Sequence, residues 1–135
     1  VIYLVDANVL SEPTKPVPNS KVVDWLSTNE ENLVVDAIIL GELCVGILAL
    51  PRGRKRTQLE QWFRDVVQTI DCLPWDTTIS RRWAKLVVDL KQKGDKLPLL
   101  DSMIAATALQ HNLTVATRNN RDFNKTGVEV LNPFA

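Results

Sequence analysis

Apolar residues along this chain fall into short unbroken runs that alternate with longer stretches in which they recur every three or four positions. Runs of the first kind suit strands buried on both faces and stretches of the second suit amphipathic helices, so their alternation predicts an α/β fold. Ile2 to Val5 is the first run, with Asp6 at its C-terminal end. Pro13, Pro16 and Pro18 forbid a regular helix between Glu12 and Ser20 and mark a loop, after which Val22, Val23, Trp25 and Leu26 predict a helix. Leu33-Val34-Val35 reads as a second strand. The stretch from Ala37 to Leu50 is too long and too apolar for a strand, so a buried helix is expected there, ended by Pro51 and Gly53.

The alternation continues to the end. Arg52 to Arg56 reads as a basic turn, leading into a helix near Gln58 to Val67 in which Leu59, Trp62, Phe63 and Val66 keep helical spacing. A short strand is expected around Cys72-Leu73. Ile79, Trp83, Leu86, Val87 and Leu90 predict a helix from Ile79 to Lys93 that stops at Gly94. Pro98 opens a helix running to His111, and Thr114-Val115-Ala116 and Val128 to Leu131 supply the last strands. The expected architecture is one domain over residues 1–135, a central and mostly parallel twisted sheet of about four or five strands with helices on both faces.

Composition narrows the classes of function. A chain of 135 residues, 45% hydrophobic and 24% charged, has room for one real core and little for a second. Sixteen basic and sixteen acidic residues cancel, which removes any bulk attraction to nucleic acid or membrane and leaves only local patches. Cys44 and Cys72 form neither a CxxC pair nor a disulfide framework, so a zinc site is not suggested. No segment approaches the ~18 uncharged apolar residues of a membrane span, and the opening residues read as a strand without a basic-led leader. A soluble protein of the reducing cytoplasm is expected.

The informative charges are the solitary ones. From Val1 to Ser11 the only charge is Asp6, from Ala37 to Pro51 it is Glu42, and from Leu97 to Leu109 it is Asp101. An ionised carboxylate buried without a partner costs several kcal/mol, so acids in core-forming segments call for a helix N-terminus, a cation or a metal. Asp101 shares a helical face with Ala105 and Ala108 and sits in the first turn after Pro98, where the helix dipole favours a carboxylate by roughly 0.3–1 kcal/mol. Asp6 ends a central parallel strand, which is where open α/β sheets place their ligands. Each acid has a plainer reading as well: Asp6 as a cap for a helix from Ala7, Glu42 as an ion-pair partner, Asp101 as an ordinary first-turn acid. If all three meet, carboxylates within about 5 Å repel by roughly 3 kcal/mol per pair at an effective dielectric near 20, and a divalent cation removes that penalty. Oxygen donors without His or Cys favour Mg²⁺ or Mn²⁺ over Zn²⁺. The one histidine, His111, ends a helix as a surface or capping residue, which excludes His-based nuclease mechanisms and Ser-His-Asp triads, and there is no Gly-rich phosphate loop.

Those residues also stand in a recognisable order. Leu4-Val5-Asp6-Ala7-Asn8-Val9-Leu10-Ser11-Glu12-Pro13, Glu42-Leu43 with Gly46-Ile47, Asp101 with Ile104-Ala105-Ala106, and Thr117-Arg118-Asn119 followed by Asp122-Phe123, Gly127-Val128 and Asn132-Pro133 run almost end to end. In this order the chain resembles the PIN-domain ribonucleases, and among them the VapC-like toxins of bacterial type II toxin-antitoxin modules, particularly the FitB-like branch. The resemblance implies a PIN-like fold and a Mg²⁺-dependent endoribonuclease in which Mn²⁺ substitutes. It makes Asp6, Glu42 and Asp101 metal-binding acids, Asp122 the best match to a fourth, and Asn8, Thr117 and Asn119 supporting polar residues. Some relatives carry Asp where this chain has Asn119, and the family often has Ser or Thr as a cap before the helix of Glu42, where this chain has Asp36 as the candidate cap instead. Arg118 and Arg121 flank Asn119 as candidate phosphate contacts, and the Arg52 to Arg56 cluster is either a further contact or a solvated turn. An RNA substrate, a cognate antitoxin, a homodimer and a hetero-oligomer with the antitoxin are the implied partners. Two other readings are a non-catalytic binding module that keeps the PIN fold, and a structure-specific DNA nuclease.

Overall fold

Five strands, each only three or four residues long, form the sheet: β1 (Tyr3–Val5), β2 (Leu33–Asp36), β3 (Asp71–Leu73), β4 (Thr114–Ala116) and β5 (Glu129–Leu131). The computed structural model describes residues 1–135. Spatial order is β3-β2-β1-β4-β5 and every neighbouring pair is parallel, so the sheet is wholly rather than mostly parallel. Seven helices connect and flank the strands: α1 (Ala7–Leu10), α2 (Ser20–Thr28), α3 (Ala37–Leu48), α4 (Arg54–Asp65), α5 (Thr77–Gln92), α6 (Leu99–His111) and α7 (Asn120–Asn124). The chain moves from β1 outward through β2 to β3, then crosses back to β4 and outward to β5. Right-handed crossovers in opposite directions lie on opposite faces, which gives the expected doubly covered sheet. Between β1 and β4 the strand order reverses, and the crevice beyond their C-terminal ends is the switch point of the fold.

Core formation follows the pattern read from the sequence. Leu4, Val5, Val35, Val115 and Ala116 are fully buried on the central strands, and Val22, Ile39, Ile104, Ala105 and Phe123 close over them from the helices. Helix starts use short polar side chains: Asn19 Oδ1 accepts the Lys21 backbone N–H at 2.9 Å, and Asp36 and Asp76 accept from Ile39 and Ile79, each at 2.8 Å. Helix α6 stops at Asn112, which takes the left-handed conformation at φ 54°, and α5 stops at Gly94, at φ 76°. No helix is long and apolar enough to cross a membrane.

Two expectations need correction. Residues 54–56 of the supposed basic turn already belong to α4, held by an Arg56–Glu60 pair at 2.8 Å and a Thr57 hydroxyl bond to Gly53 O. Their side chains are polar and the helix buries none of its residues fully, so hydrophobic spacing carried no sign of them. Helix α3 is not buried all round: Ile39, Leu43 and Ile47 form one inward row, while Val45 and Leu48 are 69% and 60% exposed. Helices α1 and α7 are only four and five residues long, too short for a period to register.

Phe123 is the one fully buried side chain of α7 and ties it to α6 and β5. Truncation to Ala in Phe123→Ala is expected to cost about 3–5 kcal/mol in urea unfolding. A loss under 1 kcal/mol would mean that α7 is not anchored through this ring.

Candidate active site

The parallel register fixes what stands at the switch point. Val5 pairs with Ala116 and Leu4 with Val34, so one or two further residues bring Asp6 beside Thr117 on one side and Asp36 on the other. Paired residues of neighbouring strands project to the same face about 4.8 Å apart. Asp6 is 3% exposed and uses both oxygens: Oδ1 accepts the Ala7 backbone N–H at 2.8 Å and caps α1, while Oδ2 accepts the Thr117 hydroxyl at 2.7 Å and the Asn8 amide at 3.3 Å. Capping and site chemistry therefore coexist in one carboxylate. Burial raises its pKa, with these three hydrogen bonds opposing.

Glu42 and Asp101 arrive from helices. In α3, Glu42 stands next to buried Leu43, and its Oε1 is itself buried with no hydrogen-bond partner. Burial, then the charges of Asp6, Asp101 and Asp36, push its pKa up to about 7. Asp101 is 8% exposed in the first turn of α6, on the face that also buries Ala105 and Ala108. Its pKa rises to about 6 through burial, then Asp6 and Asp122, with the Asn119 side chain opposing. The three solitary acids of the sequence thus converge on one crevice and feel one another's charge.

Asp36 completes the group and was not among the candidates. Burial is the main cause that raises its pKa, and the Asp6 charge adds to it. Its residue pattern pointed only to a cap for the helix of Glu42, a role that Oδ1 fills by accepting the Ile39 N–H, because the apolar window around Glu42 begins one residue later. Glu12 is a second buried acid that sequence reasoning passed over. It accepts the Asn19 backbone N–H at 2.9 Å and pairs with Lys15, and these contacts hold its pKa below the usual value.

The other candidates line the rim. Asn8 Oδ1 accepts the Arg118 backbone N–H at 3.1 Å, and the Asn119 backbone N–H donates to the Thr117 hydroxyl at 3.0 Å, so both supporting residues brace the loop after β4. The Arg118 guanidinium is exposed and stacks over Phe134, 4.4 Å from the ring centroid. Arg121 is exposed on α7. Asp122 stays at the edge, about one-third exposed and 3.7 Å from Lys125, with its charge felt by Asp101 but not among those acting on Asp6 or Glu42. Both Asn119 and Asp122 act on Asp101, the Asn119 side chain lowering its pKa and the Asp122 charge raising it.

This donor set suits a hard divalent cation. No Lys or Arg charge is among those shifting Asp6, Asp36, Glu42 or Asp101, and unpartnered carboxylate oxygens remain on Glu42 and Asp36. No three acidic, His or Cys side chains close into a ready-made cage. Water completing the shell around a cation with few direct ligands is the usual state of Mg²⁺.

The profile of the PIN domain matches residues 3–129. The chain is 37% identical to the Toxin FitB of Neisseria gonorrhoeae over 98% of its own length and 99% of that protein. It is 34% identical to the VapC ribonuclease Y4jK of Sinorhizobium fredii, with 98% of both chains covered. Among solved structures, FitAB bound to the IR36 DNA fragment superposes with a TM-score of 0.93 at 34% identity, covering 99% of this chain and 96% of that one. With its sheet order and acidic crevice, the chain belongs to the PIN-domain family, among the FitB- and VapC-like members.

Proposed function

We infer that this protein is a divalent-metal-dependent endoribonuclease, the toxin of a toxin-antitoxin pair, with Asp6, Glu42 and Asp101 as its metal-binding acids. The observation that carries the reading is the convergence of three carboxylates, Asp6 and Asp101 buried and Glu42 half-buried with an unpartnered Oε1, without a cation to offset them. Related proteins bear the names ribonuclease and toxin, and similar solved structures include toxin-antitoxin complexes, which supports RNA as substrate and an antitoxin as partner. Mg²⁺ is the favoured ion and Mn²⁺ its substitute, since all donors are oxygens.

Each residue then has a task. Asp6 is oriented by Thr117 and Asn8, so its Oδ2 faces the crevice at a fixed angle. Glu42 Oε1 and Asp101 bring negative charge from the two helices, and Asp122 adds a weaker contribution from the rim. A bound divalent cation would neutralise charge on the scissile phosphate and make a nucleophile of water at neutral pH. Arg118 and Arg121 contact the RNA phosphates outside the acidic centre, where cations do not compete with the metal. An exposed apolar strip beside Glu42, formed by Val45 and Leu48 of α3 with Leu100 of α6, is the face for a homodimer.

Asp6→Asn keeps the Oδ1 acceptor for Ala7 but removes the charge, so cleavage of single-stranded RNA with Mg²⁺ should fall at least about 10²-fold with the circular dichroism spectrum unchanged. Full activity would sink the assignment, and DNA cleaved faster than RNA would give the site to DNA instead.

The raised acids also set a pH dependence. Folded-state values above the unfolded ones near 4 mean that the folded protein holds extra protons, so stability is greatest in acid and declines as pH rises through about 6 and 7. In chelator, Tm should therefore drop between about pH 5 and pH 8, and Mg²⁺ should restore it at the upper pH far more than at the lower. A flat profile unaffected by Mg²⁺ would instead favour a binding module.

Because Val45 and Leu48 are exposed, Val45→Glu with Leu48→Glu should leave the fold intact while halving the mass measured by light scattering. An unchanged dimer mass would move the interface elsewhere.

A further inference from the structure

Arg118 follows Thr117, and its backbone is tied to the acidic crevice. Its N–H donates to Asn8 Oδ1 at 3.1 Å, and the Asn8 amide donates in turn to Asp6 Oδ2 at 3.3 Å. A guanidinium rooted so close to uncompensated carboxylates is attracted to them. Yet its charge is not among those acting on Asp6, Asp36, Glu42 or Asp101. The guanidinium lies instead over the Phe134 ring, 4.4 Å from the centroid, and the residue stays exposed.

The sheet and a turn place Phe134 there. Ala116 pairs with Leu131 and the Thr117 N–H donates to Leu131 O at 3.0 Å, so the residues after β5 leave the sheet beside those after β4. Asn132 then closes a turn: its Oδ1 accepts the Phe134 N–H at 2.9 Å and its carbonyl accepts the Ala135 N–H at 3.1 Å. Pro133 is buried, and Phe134 is half-buried against the core with a ring face toward Arg118. Glu12, buried and paired with Lys15 at 2.9 Å, also feels the Arg118 charge. An acid apart from the four of the crevice therefore adds its pull to the stacking.

Resting on the ribonuclease reading above, we propose that Phe134 is the positioning residue of Arg118, its ring holding the guanidinium off the acids and presenting it to a phosphate of the RNA. A ring face suits this task better than a carboxylate, because cation–π contact leaves the N–H donors free for phosphate oxygens. A mobile arginine loses rotamer freedom when it grips a phosphate, and one already laid on a ring has less to lose.

The test is steady-state cleavage of fluorescein-labelled single-stranded RNA of mixed sequence with Mg²⁺. The full chain is compared with Phe134→Leu, Phe134→Tyr, Arg118→Ala and the double variant Phe134→Leu with Arg118→Ala. Leu keeps an apolar contact with the core but removes the ring face, and Tyr restores that face. Phe134→Leu should raise KM about two- to fivefold, the span of one exposed cation–π contact, with kcat held within about twofold. Phe134→Tyr should keep the KM of the unsubstituted protein. Arg118→Ala should raise KM as well, and in that background Phe134→Leu should add nothing, because the ring acts only through the guanidinium. An equal rise in KM in both backgrounds would overturn the proposal and leave Phe134 a core residue. It would also be overturned by an unchanged KM in Phe134→Leu, or by a fall in kcat alone. Absence of RNA cleavage by the unsubstituted protein would instead overturn the ribonuclease reading itself.

Discussion

The parallel register of β1 with its two neighbours is the constraint on which the crevice depends. It sets Asp36, Asp6 and Thr117 in one row at the C-terminal edge of the sheet, and a one-residue slip would turn each side chain to the opposite face. The register is itself held by burial, since Leu4, Val5, Val35, Val115 and Ala116 are all fully enclosed and a slip would draw polar strand-end residues into their places. Core packing and site geometry are thus one requirement. The strands are only three or four residues long, so a few enclosed side chains carry it.

Electrostatics works against that arrangement. Asp6, Asp36, Glu42 and Asp101 are all pushed toward their neutral forms by burial, and three of the four influence Glu42 together. A fold that kept such a group only for stability would gain by replacing its members with apolar residues of similar size. Holding like charges together is what a cation site requires, because the repulsion that penalises the empty crevice is released when the ion enters. The same fields explain why Arg118 and Arg121 lie outside: a guanidinium among the acids would neutralise them permanently.

Much of this was legible in the sequence, for reasons that differ by element. Apolar runs located the central strands β1, β2 and β4, which are buried, whereas the edge strands β3 and β5 begin on the exposed Asp71 and Glu129 and were located only by a short apolar remnant. Lone charges located Asp6, Glu42 and Asp101, because burial makes an unpaired acid expensive wherever it falls. Helix α7 was not legible, being too short for an apolar period to repeat, and α1 was legible only through its cap, Asp6. The start of α4 was hidden by its polar composition, and the exposed face of α3 by the opposite fault, since a helix apolar all round reads as buried whatever covers it. Asp36 was legible as the cap of α3 but not as a neighbour of Asp6, since it lies at the boundary between two patterns, the last residue of a strand and the cap of a helix.

That boundary position shows why the plain and the functional readings of an acid are poor alternatives. A carboxylate has two oxygens, and a residue that joins a strand to a helix can point one at the first free N–H of the helix and the other across the sheet edge. Asp6 does both, with Ala7 on Oδ1 and Thr117 on Oδ2. Asp36 repeats the first half of the arrangement one strand away, with Ile39 on Oδ1 and the Thr107 hydroxyl alongside. In Asp6 the cap fixes the rotation of the carboxyl group, so the second oxygen is aimed before any ligand arrives. Pre-aiming of this kind lowers the cost of ordering a site on binding. Capping is therefore part of how the crevice is built, and a strand-end acid followed at once by a helix merits attention in a sequence even where a cap alone would explain it.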